Sequence, residues 1–209
     1  MARPGPRDGH ATSRPGRRDG ARGCPHPVPR RSVLAAGGAL AASALAGCLQ
    51  SDGEQPDPVA IPDTAQCDVC GMIIANHPGP NGQIFYSDNS PEGHDNPAWF
   101  CSLKKCFFPY KLEHDRLGWT VAAMYVTDYS AVDYGTSTSG GVTYISAHRE
   151  PASFGPAREL SYVVESDVQG AMGPDFYPFS DAEDADGFAA EYGGRVLGFG
   201  DIGPDLVGR

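Results

Sequence analysis

Three sulfur-bearing side chains lie within six residues in the segment Cys67-Asp68-Val69-Cys70-Gly71-Met72. Gly71 has no Cβ, so the backbone can turn sharply enough there to direct Cys70 and Met72 at a common centre. Thiolates and thioethers are soft donors, and this pairing suits Cu(I) better than hard cations. Zinc binds thiolate and imidazole but has little use for a thioether. Cys67, Cys70 and Met72 therefore indicate a copper site.

Three other chemistries are open to the cysteines. Cys101 and Cys106 form a second pair, and together with Cys67 and Cys70 they have the ligand spacing of a structural zinc site. Two disulfides are equally compatible with the spacing. A redox dithiol would require Cys67 and Cys70 to open a helix behind a strand. The residues before Cys67 are instead typical of a linker, which disfavours the redox interpretation.

Residues 1–48 are predicted to be an export signal. Arg30 and Arg31 precede an apolar segment of about 15 residues, which is too short to span a bilayer comfortably. The arginine pair resembles a Tat signal, and Leu45-Ala46-Gly47-Cys48 resembles a lipobox. We therefore expect Cys48 to become the lipidated N-terminus of a protein displayed on the outer face of the membrane. Residues 49–65 are predicted to be a flexible tether.

Without the leader the chain is strongly acidic. Residues 49–209 contain 8 Lys and Arg against 24 Asp and Glu, a net charge of about −16 compared with −10 for the whole chain. So acidic a surface disfavours nucleic acid and anionic membrane surfaces as partners. The scarcity of lysine is typical of adaptation to high salt, where surface charge is screened.

The remaining residues, 66–209, predict one α+β domain made of two halves, about 66–134 and 135–209. In the first half, strands are predicted at residues 83–87, 98–101 and 119–125, the last with alternating burial. Ser102 is predicted to cap a short helix before the third strand, and Pro109 to kink or end that helix.

The second half repeats this order of elements. A Gly/Ser/Thr-rich turn at residues 135–141 is predicted to separate the halves, followed by strands at 142–146 and 160–165. Ser180 and Glu183 have the spacing of a capping box, which predicts a helix that ends at Gly193-Gly194. A final strand is predicted at 195–199. Both halves therefore follow the order strand, strand, helix, strand, as expected of a duplicated unit.

Several segments together resemble the NosL family, the lipoprotein copper chaperones associated with assembly of nitrous oxide reductase. The resemblance spans about residues 66–202 and rests on Cys67–Met72, Phe100-Cys101-Ser102, Tyr125–Asp128, Gly170-Ala171-Met172-Gly173, Pro178-Phe179 and Phe188–Leu197. It implies two topologically similar ββαβ units, with organomercurial lyase as a structural relative. The chain departs from the family pattern at Cys106 and in the insertion of residues 88–97.

Carried onto this sequence, the resemblance implies a single Cu(I) bound by cysteine and methionine. The expected ligands are Cys70 and Met72, then Cys67, with Cys101 and Met172 as further candidates. The expected function is delivery of Cu(I) to an apo copper enzyme, with nitrous oxide reductase as the implied recipient, and without chemistry on a substrate. The alternatives are a lipoprotein stabilised by zinc or disulfides and, less favoured, a thiol-disulfide oxidoreductase.

Overall fold

A computed structural model describes residues 55–208 of the chain. The predicted export signal, Cys48 and residues 49–54 of the predicted tether lie outside the described residues. Residues 56–65 pack on the domain, although they were predicted to be tether. Ile61 is buried, its N–H donates to the Arg149 carbonyl over 3.0 Å, and the Tyr125 hydroxyl donates to the Pro56 carbonyl. The folded region therefore begins earlier than residue 66.

Strands and short helices alternate along the described residues. The strands are β1 (Gly82–Tyr86), β2 (Ala98–Phe100), β3 (Val121–Thr127), β4 (Thr136–Ser139), β5 (Val142–Ile145), β6 (Phe154–Pro156), β7 (Ser161–Val164), β8 (Gln169–Gly170), β9 (Gly173–Pro174), β10 (Tyr177–Phe179) and β11 (Arg195–Gly198). The α-helices are α1 (Phe108–Arg116), α2 (Ala182–Tyr192) and α3 (Pro204–Val207), and a π-helix spans Leu103–Phe107.

The first unit is an antiparallel sheet in the order β2-β1-β3, extended at its far edge by β6. β1 pairs with both neighbours, with Gly82 opposite Phe100 on one side and Val126 on the other. The predicted alternation along β3 is wrong, because Ala123, Met124, Tyr125 and Val126 are all buried. Both faces of this strand are covered at its second half.

The second unit repeats the first in sheet order, β10-β7-β11, and is also antiparallel. In each unit the first strand along the chain lies in the middle, and the helix precedes the third strand. The predicted α+β fold with two similar ββαβ units is confirmed. The strands of the second unit were misassigned, however, because its second strand is β10 and not the predicted strand at 160–165, which is its first.

The segment predicted as a separating turn contains a strand. β4 and β5 form a hairpin in which Ser139 lies opposite Val142, joined through Gly140 and Gly141 with φ of +61° and +80°. Two consecutive residues with positive φ match the twist of a two-residue hairpin. The turn signal was therefore real, but only its last two residues make the turn.

The helix boundaries also differ from expectation. Pro109 is the second residue of α1, which continues past it to Arg116. Proline is tolerated there because it lacks only an N–H group, and the first N–H groups of a helix are not needed for its internal hydrogen bonds. The residue that caps α2 is Asp181, whose Oδ1 accepts from the Glu183 N–H over 2.8 Å, and not Ser180. Gly193 ends this helix with φ of +72°, as predicted.

Two hydrophobic clusters form the interior. The larger lies between the first sheet, α1 and the π-helix, and it includes Cys67, Cys101 and Cys106. The smaller lies under α2 and contains no cysteine among its described members. Among residues 55–208, no helix is long and apolar enough to cross a membrane.

Candidate metal centre

The segment Cys67–Met72 forms a tight loop closed by its own backbone. The Cys67 N–H donates to the Met72 carbonyl over 2.9 Å, and the Gly71 N–H donates to the Cys67 carbonyl over 2.8 Å. Gly71 has φ of +72°, a conformation that side chains with a Cβ rarely adopt, although no atom lies within 4 Å of where a Cβ would stand. The expectation that Gly71 allows a sharp turn is confirmed.

Asp68 fixes this loop to Trp99, the middle residue of strand β2. Its N–H donates to the Trp99 carbonyl over 2.9 Å, and its Oδ2 accepts from the Trp99 N–H over 2.5 Å. The other oxygen, Oδ1, lies 2.9 Å from His94 Nε2, and this histidine belongs to the insertion at residues 88–97. Cys101 comes directly after β2. Attachment of the loop to Trp99 therefore brings Cys67 and Cys70 close to Cys101.

Cys101 and Cys106 lie on either side of the start of the π-helix. The Phe107 N–H donates to the Ser102 carbonyl over 3.0 Å, an i→i+5 bond, and Ser102 Oγ accepts from the Lys105 N–H as predicted for its cap. Single π-turns are rare and are often found at functional sites. The wider turn places Cys106 on the inner face, where it is completely buried.

The four thiols converge on one point. The Sγ atoms of Cys67, Cys70, Cys101 and Cys106 all lie within 4.8 Å of one another. Cys70 and Cys101 are 3.4 Å apart, Cys101 and Cys106 are 4.0 Å apart, and all four are free. The distances are compatible with four donors around one metal ion. Cys106 was absent from the expected copper ligands, although its spacing from Cys101 had indicated it as a zinc ligand.

Met172 adds a fifth sulfur from the other end of the chain. It lies at the tip of the hairpin formed by β8 and β9, where Gly170 pairs with Gly173. The Cys106 thiol donates to the Met172 Sδ over 3.6 Å, and the Met172 residue is 38% exposed. Met72 is half-buried, packs against the larger core cluster and holds Cys67 through its carbonyl. Its role as a copper ligand stays a prediction.

Hydrogen bonding within the cluster favours ionisation of Cys67 over that of Cys101 and Cys106. Hydrogen bonds from Cys101 and Cys106 hold the pKa of Cys67 far below its usual value, against the effect of burial. A bond from Cys106 lowers the pKa of Cys101, but bonding to Cys67, burial and the Cys67 charge outweigh it and raise the pKa overall. Hydrogen bonds to Cys101 and Cys67, with burial, raise that of Cys106. A cation would therefore meet one thiolate first and displace protons from the others.

Accessibility differs among the five sulfurs. Cys67, Cys101 and Cys106 are no more than 2% exposed, whereas Cys70 is half-buried and Met172 is 38% exposed. We call Cys70 and Met172 the open edge of the cluster. A ligand from solvent or from another protein would reach a bound ion through this edge.

Comparison with known proteins settles the family. The sequence profile of NosL matches residues 58–207. The chain belongs to the NosL family. Copper-binding lipoprotein NosL of Stutzerimonas stutzeri is 31% identical over 170 residues, which cover 80% of this chain and 78% of that protein. The protein of the same name in Achromobacter cycloclastes is 30% identical over 139 residues, or 66% of this chain and 63% of its own length.

A solved structure agrees with this assignment. The crystal structure of the copper chaperone NosL from Shewanella denitrificans aligns with a TM-score of 0.57 at 29% identity, covering 72% of this chain and 98% of that one. The resemblance inferred from Cys67–Met72 and the other segments is confirmed. Copper binding and copper chaperoning are therefore named properties of relatives of this NosL chain.

Proposed function

We propose that this NosL protein is an exported, lipid-anchored metallochaperone that carries Cu(I) in its sulfur cluster and delivers it to an apo copper enzyme. The observation that carries the proposal is the convergence of four thiols within 4.8 Å of one another, with the Met172 thioether 3.6 Å from Cys106. Sulfur donors select soft ions, and the thioether favours Cu(I) over zinc within that group. The relatives named as copper-binding lipoproteins support the same cargo.

Delivery requires that the ion can leave, and the open edge supplies the route. Cys67, Cys101 and Cys106 are buried and held by the core, so they are the ligands that retain the ion. Cys70 and Met172 are the accessible members of the set. An incoming donor from the recipient would replace the weak thioether first and then Cys70, so that copper is passed by ligand exchange without becoming free.

The anchor and the recipient extend the proposal beyond the described residues. Cys48 is the residue that would carry the lipid, which agrees with the relatives that are named lipoproteins. The protein would then act at the outer face of the membrane, where exported copper enzymes are assembled. Nitrous oxide reductase is the proposed recipient because the family resemblance implies it.

A structural zinc site is the second candidate, and the four-cysteine cluster favours it. Structural zinc sites are closed and tetrahedral, and four cysteine thiolates are a common ligand set. The half-buried Cys70 and the exposed Met172 make this cluster less closed than such a site would be. Zinc also has little use for the thioether next to Cys106.

Metal competition separates the two candidates. Protein purified anaerobically with reductant is titrated with Cu(I) and with Zn(II), each against a competing chelator, as wild type, Met172→Leu and Met72→Leu. Leucine nearly preserves the volume and hydrophobicity of methionine. We expect Met172→Leu to fold normally and to lose Cu(I) affinity by about tenfold, or about 1.4 kcal/mol. Zn(II) affinity should not change.

Met72→Leu tests the ligand predicted from sequence in the same way. A matched loss of Cu(I) affinity would place the Met72 thioether in the copper sphere, whereas no loss would make it a packing residue of the loop. Two results together would contradict the chaperone and support the structural zinc site. Zn(II) would bind far more tightly than Cu(I), and both leucine variants would bind each metal as tightly as wild type does.

A further inference from the structure

Asp175 is a buried carboxylate outside the sulfur cluster. It is only 2% exposed, and its Oδ1 accepts three backbone N–H groups, from Leu103 over 3.0 Å, Lys104 over 2.8 Å and Phe176 over 2.9 Å. Its other oxygen, Oδ2, is buried with no hydrogen-bond partner among residues 55–208. Burying a carboxylate in this way is unfavourable unless its hydrogen bonds repay the loss of water. The residue therefore invites an explanation beyond packing.

Two of those N–H groups belong to the first turn of the π-helix between Cys101 and Cys106. The first N–H groups of a helix have no acceptor within it and need one from elsewhere. Ser102 Oγ accepts from Lys105, and Asp175 accepts from Leu103 and Lys104. The N-terminal N–H groups of this turn are thus satisfied jointly by a neighbour in sequence and by a residue 71 positions away from Lys104.

On the other side, Asp175 is joined to the hairpin that carries Met172. Pro174, the residue before Asp175, pairs with Gln169, and only Ala171 and Met172 form the tip of this hairpin. Gly170 lies directly against the carboxylate, since a Cβ there would stand 2.9 Å from Oδ2. The same glycine packs against Gly79, where a Cβ would stand 2.6 Å from the Gly170 Cα. The base of the hairpin is therefore held closely between Gly79 and Asp175.

We infer that Asp175 is a positioning residue for copper binding, which holds the Met172 hairpin against the Cys101–Cys106 segment so that the thioether stays beside Cys106. Its carboxylate is a connection between the β8–β9 hairpin and the π-helix, and the hairpin is too short for its tip to move independently of its base. Partners that orient metal ligands commonly change metal affinity by about 10-fold to 100-fold when they are removed. The inference rests on the proposed function.

A double-mutant cycle tests it. Cu(I) affinity is measured by chelator competition for wild type, Asp175→Ala, Met172→Leu and the double variant. If Asp175 acts through Met172, Asp175→Ala weakens Cu(I) binding by about tenfold in the wild-type background and has almost no effect when Met172 is already leucine. Asp175→Asn keeps an oxygen acceptor for the N–H groups and should bind Cu(I) within about twofold of wild type.

Asp128→Ala is the matched control. Asp128 is also buried, and its Oδ1 accepts two backbone N–H groups, from Ser130 and Ser180, neither of which lies in a cysteine segment. It should lose stability without losing Cu(I) affinity. Amide exchange in the metal-free protein gives a second readout, because Asp175→Ala should speed exchange at Gly170 and Gly173, which pair across the hairpin, while Asp128→Ala should not.

The outcomes separate the inference from the function on which it rests. Wild-type protein that fails to hold Cu(I) overturns both. If wild-type protein holds Cu(I), two results overturn only the positioning role. In one, Asp175→Ala weakens Cu(I) binding equally in the wild-type and Met172→Leu backgrounds. In the other, it weakens Cu(I) binding in neither. Should Asp175→Ala not fold, Asp175→Asn decides: unchanged exchange at Gly170 and Gly173 agrees with the inference, and faster exchange there with unchanged Cu(I) binding contradicts it.

Discussion

The two ββαβ units share a sheet order but differ where the second strand meets the helix. In the first unit, β2 leads through Cys101 and Ser102 into a π-turn that ends beside Cys106. In the second, β10 leads through Ser180 and Asp181 directly into the regular helix α2. One junction places two thiols on the inside, and the other has only polar residues and a side-chain cap.

The difference teaches that the duplicated topology is a scaffold, while the junction and the connecting loops make the site. The first unit supplies all four thiols. The second supplies Met172 from the connection between β7 and β10, and Asp175 from the same connection. A site assembled from both units depends on how they are held together as well as on the cysteines themselves.

Removing Cys106 should give the largest effect. Cys106→Ala removes the thiol that joins the cysteines to Met172, so both a thiolate ligand and the contact to the thioether are lost. We expect Cu(I) affinity to fall by about a thousandfold, or about 4 kcal/mol. Chelator competition measures it. Affinity within threefold of wild type, about 0.6 kcal/mol, would make Cys106 a buried small side chain of the core.

Asp175, which the second unit supplies, should make the stability of the protein depend on pH. Burial raises the pKa of Asp175 to about 6, against the hydrogen bonds that lower it. Since the pKa of an aspartate in the unfolded protein is about 3.9, the folded protein binds this proton more tightly than the unfolded protein does. Protonation of Asp175 therefore favours folding. The stability it contributes is fully present below about pH 4 and is lost as the pH rises through about 6.

Asp175→Asn should remove this dependence. Between pH 4 and pH 7 the metal-free wild type should lose roughly 2–3 kcal/mol more of its free energy of unfolding than Asp175→Asn does. Urea unfolding of both proteins at the two pH values measures the difference. Parallel changes in wild type and variant would show that Asp175 titrates normally in the folded protein.

Shortening the first junction should make it resemble the second. Deleting Lys105, an exposed residue of the π-turn, would turn its i→i+5 bonds into i→i+4 bonds. We expect a folded protein in which Cys106 is displaced from Cys101 but still reaches the cluster, with Cu(I) affinity reduced by about tenfold, or about 1.4 kcal/mol. Full Cu(I) affinity in a folded deletion variant would mean that the π-turn does not position Cys106.

The cap of α2 should matter only for stability. Asp181→Ala removes the side-chain acceptor for the Glu183 N–H, which should lower the free energy of unfolding by about 1 kcal/mol. Cu(I) affinity should be unchanged, because this junction contributes no sulfur. A change in Cu(I) affinity together with the stability loss would contradict the separation between the two junctions.

The sequence predicted the scaffold better than the connections. Runs of strand-forming residues between turn residues, the Ser102 cap and Gly193 predicted the elements of the first unit and the end of α2. These signals act within a few residues. β10 was missed as a strand, since Pro178 and its neighbours carry no alternation and an edge strand needs only one partner. β4 was predicted to be part of the turn at residues 135–141, because its four exposed Ser and Thr residues are also typical of turns.

The site, like the scaffold, was predicted only where its signals lie within a few residues of one another. The loop Cys67–Met72 is local, and its chemistry and its glycine turn could be predicted from spacing. The position of Cys106 depends on an i→i+5 turn, which no residue pattern in the sequence predicts. The role of Asp175 depends on contacts 71 and 72 residues away, which a single sequence does not contain.

X-ray absorption at the copper edge tests the central claim most directly. Wild-type protein loaded with one Cu(I) under anaerobic conditions should show only sulfur neighbours, at about 2.2–2.3 Å by analogy with thiolate distances to zinc. Met172→Leu should lose sulfur amplitude, whereas Asp181→Ala should give the wild-type spectrum. A shell dominated by nitrogen or oxygen, in wild-type protein that is folded and reduced, would contradict a copper site built from this sulfur cluster.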